Sequence, residues 1–158
     1  MKPSLFAGLF RWACGFGEGV MIFFTFGVAL PLFKILPRET AGATTVQLFP
    51  NYYYCLLGIL GIALIAALVI VRQHRLNWIS LLLVAVALAC ILFTALYLAP
   101  LIQEMKTPAT MDTFRKLHGI SMLLNLLSMI SILAAPILIR TENTSHEPMD
   151  IIGTRRSL

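Results

Sequence analysis

Four long apolar stretches alternate with short polar ones along the chain, from about Trp12 to Phe33, Tyr52 to Val71, Trp78 to Ala99 and Leu117 to Ile139. Each is long enough to cross a hydrocarbon core of about 30 Å as a helix, which takes about 20 residues. The second and third stretches are apolar all round and read as packing elements. Tyr52, Tyr53, Tyr54, Trp78 and Tyr97 mark their ends, where an aromatic ring sits half in lipid and half in water. The pattern predicts an all-α fold, an integral membrane four-helix bundle. It is one domain over residues 1–140, with a flexible polar tail at 141–158.

The first and last stretches differ, because each carries polar residues on one face. In the last, Pro108, Thr110 and Asp112 offer a helix start. After Arg115 and Lys116, the residues His118, Ser121, Asn125 and Ser128 fall within a sector of about 80° at 100° per residue. Unpaired polar groups are costly in hydrocarbon, so this face is expected to look into protein, water or a ligand. In the first stretch Arg11, Glu18 and Thr25 share a face, and Gly15 with Gly19 forms a small-residue seam beside it. Glu18 is the one carboxylate inside any span, which makes it a functional candidate; pairing with Arg11 or hydration from the nearby surface is the competing reading. Antiparallel geometry puts Thr25 level with Asn125, and Glu18 nearer Ser128 and Ser131. If the two helices are neighbours, their polar faces join into one interior strip with His118 at its mouth.

Between the first two spans, Pro37 and Pro50 bracket a loop, PRETAGATTVQLFP. A short interfacial helix is expected within it, with Arg38 and Glu39 in water and Leu48 and Phe49 in the headgroups. Four spans place both termini on one side. The terminal side holds Lys2, Arg11, Arg72, Arg75, Arg140, Arg155 and Arg156, against Lys34, Arg38, Lys106, Arg115 and Lys116 opposite, an imbalance that favours cytoplasmic termini. Asn143-Thr144-Ser145 matches a glycosylation sequon, a short pattern common by chance.

Composition agrees with a polytopic membrane protein. Of 158 residues 59% are hydrophobic and 12% charged, the latter about half the globular norm, and mean hydropathy is +0.87. No room remains for a soluble catalytic domain. The net charge of +5 is spread over loops and tail, as membrane-flanking charge and not as a nucleic-acid patch. Cys14, Cys55 and Cys90 lie in three different spans and form no Cys-x-x-Cys or Cys/His cluster, so no disulfide framework or metal centre is expected. Arg11 interrupts the first apolar run and no small-x-small site follows, so that helix is expected to stay attached. His118 has no partner for a bis-histidine haem site in this topology, since His74 and His146 belong to the opposite membrane face.

Two blocks together, FGVALPLFKILPRETAGATTVQLFPNYYY and FRKLHGISMLLNLLSMI, resemble the family typified by transmembrane protein 205, a membrane domain of unknown function. The resemblance covers about residues 9 to 139. It implies a four-helix integral membrane protein and supplies no reaction or ligand. Its motif positions include Pro37, Arg38, Phe49, Pro50, Tyr53, His118, Gly119, Ser121 and Asn125, but not Glu18. Taken with the spans, the expected function is that of a non-enzymatic accessory or interaction subunit. It would sit in the lipid bilayer as a homo-oligomer or within a larger membrane complex, without cofactor or nucleic acid. Translocation of a small molecule or ion by an oligomer using Glu18 is the first alternative. A haem- or metal-binding redox role through His118 is the second.

Overall fold

A computed structural model describes residues 3–73, 78–104 and 111–138; the expected tail, His74, His146 and Pro108 lie outside these. The described residues are helical, with no strand among them. Helix α1 (Pro3–Ile22) continues through a wide π-helical turn (Phe23–Ala29) into α2 (Leu30–Ile35). Helix α3 (Arg38–Gln73) returns. Helix α4 (Trp78–Phe93) passes through a second π-helical turn (Thr94–Leu98) into α5 (Ala99–Glu104), and α6 (Met111–Ala134) completes the bundle. Four stretches are long and apolar enough to cross a membrane: Leu5–Ile35, Arg38–Arg72, Trp78–Glu104 and Asp112–Ala134. The chain is a multi-pass membrane protein.

Two prolines explain the wide turns. Pro31 and Pro100 have no N–H for the carbonyls of Gly27 and Leu96, and their rings crowd those carbonyls. The residue before each proline bonds five residues back instead of four. The Leu30 N–H donates to the Thr25 carbonyl, and the Ala99 N–H to the Thr94 carbonyl.

The expected loop between Pro37 and Pro50 is not a loop. Pro37 precedes the first turn, where its fixed φ suits a helix start, and Arg38–Gln73 forms one helix of 36 residues through Pro50. Pro50 is exposed, and the hydroxyls of Thr44 and Thr45 bond back to the carbonyls of Thr40 and Ala41 in the preceding turns. At 1.5 Å per residue this helix is about 54 Å long, well beyond a hydrocarbon core of about 30 Å. The second span therefore starts earlier than its apolar composition alone indicates, and the interfacial helix becomes its distal extension (distal meaning the end away from Pro3).

Packing inverts the usual soluble arrangement. Large apolar side chains such as Trp12, Phe23, Ile65, Leu96 and Leu123 face outward, where lipid takes the place of a protein neighbour. The interior mixes Phe10, Met21, Leu56, Leu60, Ile91 and Ile132 with many small residues, including Ala63, Ala66, Ala87, Ser128 and Ser131. Helix α1 packs chiefly on α3, α3 on α4 and α4 on α6, and a thinner contact between α6 and α1 closes the ring. Small residues let backbones approach, which is what favours helix association when lipid is as apolar as the side chains. Gly17 is one such point: a Cβ there would lie 3.5 Å from Ile59 and 3.7 Å from Leu60. The Gly15/Gly19 seam does not serve the bundle, since both residues are exposed with nothing within 4 Å of a would-be Cβ.

Candidate functional site

The polar residues of the first and last spans do approach one another, through a residue of the second. Antiparallel packing brings Phe24, at the wide turn of the first span, onto Tyr52 of α3, with ring centroids 4.3 Å apart. Phe49 and Tyr53 complete an aromatic cluster, at 5.5 Å from Phe24 and 5.5 Å from Phe49 respectively. Ring contacts of this kind add about 0.5–1.5 kcal/mol each beyond buried area, and they hold the Tyr52 side chain in one position. Its hydroxyl crosses the bundle and donates to Asn125 Oδ1 of α6 at 2.9 Å. The residue that bridges the first and last spans is thus Tyr52, packed on Phe24 and bonded to Asn125.

Glu18 lies about two turns below Phe24 on α1. It is half-buried, and its Oε2 is buried without a hydrogen-bond partner among the described residues. An unpartnered carboxyl oxygen inside an apolar bundle carries its full desolvation cost unless a proton, a cation or a donor meets it. Below Asn125, the fully buried Ser128 donates to Leu124 of its own helix at 2.9 Å and to the Ala87 carbonyl of α4 at 3.3 Å. Ser131 is buried one turn further on. Asn125 Nδ2 has only the thioether of Met129, 3.9 Å away, a weak acceptor. The interior strip is therefore Glu18, Tyr52, Asn125 and Ser128, contributed by three helices and tied to the fourth.

The other candidates stand apart from it. The stripe on α6 rotates outward toward its start: Ser121 bonds the carbonyl of His118, and His118 is exposed with its ring parallel to Phe114 at 5.8 Å. Arg38 is exposed at the first turn of α3, and no hydrogen bond or ion pair ties it to His118 among the described residues. These two side chains do not close the distal mouth among the described residues. Arg115 instead pairs loosely with Asp112, at 3.7 Å on the surface.

Tyr52 was the residue that composition misplaced. Its hydroxyl is expected at the wet interface, yet Tyr52 and Tyr53 are 7% and 9% exposed while Tyr54 is 73% exposed. The signal lay in the spacing of Phe49, Tyr52, Tyr53 and Leu56, which form one helical stripe once Pro50 is allowed inside the helix.

Outside the strip, two open apolar grooves follow one another along α1 where it meets α3. One, of about 500 Å³, is lined by Gly15, Gly19, Phe23, Val28, Leu48 and Asn51 among others. The second, of about 530 Å³, runs past Gly8, Leu9, Trp12, Ile59 and Ile62. Phe16 lines both and separates them.

No solved structure matches the chain. An uncharacterized protein of Aquifex aeolicus (strain VF5) is 32% identical over 126 residues, which are 80% of this chain and 87% of that relative. The model of a domain of unknown function, DUF4149, matches residues 12–110, from the body of α1 past the end of α5, so the spans that carry Glu18 and Tyr52 fall within the match and the chain belongs to the DUF4149 family.

Proposed function

We propose that the protein is a non-enzymatic membrane interaction subunit that receives a transmembrane helix, from a second copy or from another subunit, on the outer face of α1 and α3. The observation that carries this reading is the pair of end-to-end grooves with Gly8, Gly15 and Gly19 in their walls. Apolar side chains gain nothing by leaving lipid for one another, so helices associate in membranes where small residues permit close van der Waals packing. The glycine face of α1 offers that, and among the described residues no helix of the chain occupies it. The test is native mass spectrometry from nanodiscs, comparing wild type with the Gly15→Leu/Gly19→Leu variant. Wild type is expected to carry a second copy or a companion subunit, and the variant to run alone with unchanged helicity. A wild-type monomer without companions, or a variant that keeps them, overturns the proposal.

A second reading is favoured by Glu18 Oε2, buried and without a partner among the described residues. In that reading an oligomer moves a proton or a cation with Glu18 as the binding carboxylate. Flux in proteoliposomes that is the same for wild type and Glu18→Gln would remove it. Within the family, the two sequence blocks support a place beside transmembrane protein 205; the first block lies inside the matched residues 12–110 and the second beyond them.

A further inference from the structure

Residues 24–32, FTFGVALPL, and 93–101, FTALYLAPL, share Phe, Thr, Pro and Leu at their first, second, eighth and ninth positions, and every other position in both is apolar or glycine. So short a match carries little by itself. The backbone repeats with it. In both copies the residue before the proline reaches five residues back to the carbonyl of the repeated threonine, Leu30 to Thr25 and Ala99 to Thr94. Both copies lie in the distal part of a span that leads away from the start of the chain, and each is followed by a six-residue helix and a returning span.

We propose that the chain is a tandem of two copies of one helical hairpin, and that its two wide turns are a matched pair of hinges. Two hairpins of the same orientation are related by an axis along the membrane normal, as in parallel-repeat membrane proteins. At each hinge the proline leaves a carbonyl, of Gly27 or of Leu96, without its usual N–H, so the backbone ladder is interrupted there and the helix bends most readily at that point. Beyond the hinges lie only α2 and α5, short levers that end in the distal connections. The first hinge contains Phe24, whose ring covers Tyr52. Phe24 precedes the Gly27 carbonyl, so when α2 swings outward that ring stays on Tyr52 and only the part of the span distal to it moves. The hinge pair does not depend on what binds the glycine face, so it stands or falls separately from that proposal.

The test is amide hydrogen exchange of the full chain in nanodiscs, for wild type, Pro31→Ala and Pro100→Ala. In wild type, residues 23–30 and 94–99 are expected to exchange about tenfold faster than residues 51–57 of α3, which lie beside Phe24 at the same depth. Each alanine restores an N–H and is expected to slow its own segment toward that of α3. If either wide turn in wild type is as protected as α3, the matched pair is refuted, and the wild-type comparison decides this even if a variant fails to fold. Variants that fold and leave exchange unchanged also refute it, because the interrupted ladder would then not be the cause.

Discussion

Removing the Tyr52 hydroxyl isolates one polar contact between helices in a bundle whose interior is mostly apolar. Tyr52→Phe keeps the ring against Phe24 and Phe49 and deletes only the donor 2.9 Å from Asn125 Oδ1. Hydrogen bonds between membrane helices are worth about 0.6 kcal/mol on average and about 1.7 kcal/mol at most. Leaving a buried acceptor unpaired adds about 1–3 kcal/mol where no water replaces the donor. Asn125 is only partly buried, so the low end applies and a loss of about 1–2 kcal/mol is expected. Asn125→Leu removes the acceptor and also an amide nitrogen whose one partner is a thioether 3.9 Å away, so it costs less than the loss of the bond alone suggests. The double variant leaves neither group orphaned. A double-mutant cycle, read by equilibrium unfolding in mixed detergent micelles, should then give a coupling of about 1 kcal/mol. Additivity within about 0.3 kcal/mol, or stabilisation by Tyr52→Phe alone, would refute the reasoning.

Other substitutions probe the packing around this pair. Gly17→Leu drives a side chain into Ile59 and Leu60 and should cost about 1–3 kcal/mol in the same unfolding assay, whereas Gly15→Leu, on the open face, should cost the isolated bundle little. Ser128→Val removes the bonds to Leu124 and Ala87 and adds bulk at a fully buried site between α6 and α4; a loss of about 1–3 kcal/mol is expected. Glu18→Gln should leave thermal stability equal or higher, because it removes an ionisable group whose Oε2 has no partner among the described residues; a clear drop in Tm would mean the carboxylate is paired in the membrane. Arg38→Ala and His118→Ala should each fall within about 0.5 kcal/mol of wild type, as both side chains are exposed and no bond joins them to each other among the described residues.

The four spans were legible because a membrane helix is a one-dimensional property. About twenty apolar residues and internally satisfied backbone bonds are required wherever the helix ends up. The distal ends were less legible. Pro37 and Pro50 look alike as helix-start signals, yet one precedes α3 and the other sits within it, on an exposed face where its ring meets no packed neighbour helix among the described residues. Reading Pro50 as a boundary also hid the stripe from Phe49 to Leu56, and with it the buried tyrosine. The Gly15/Gly19 seam was visible as a close-packing surface, but its spacing does not say whether the partner helix belongs to the same chain.

By itself the sequence determined an all-helical, four-span membrane protein, with polar residues on one face of its first and last spans. Only the tertiary structure decided which of those residues meet. The Tyr52–Asn125 bond joins groups 73 positions apart and depends on how far α3 and α6 are each rotated about their axes. That rotation follows from the packing of small residues such as Gly17, Ala63, Ala87 and Ser128, since lipid is equally content with any apolar face turned toward it. Glu18 and His118 show the consequence. Both sit on polar stripes, but α1 packs closely on α3 and one carboxylate oxygen of Glu18 is buried, whereas His118, near the start of α6, is exposed.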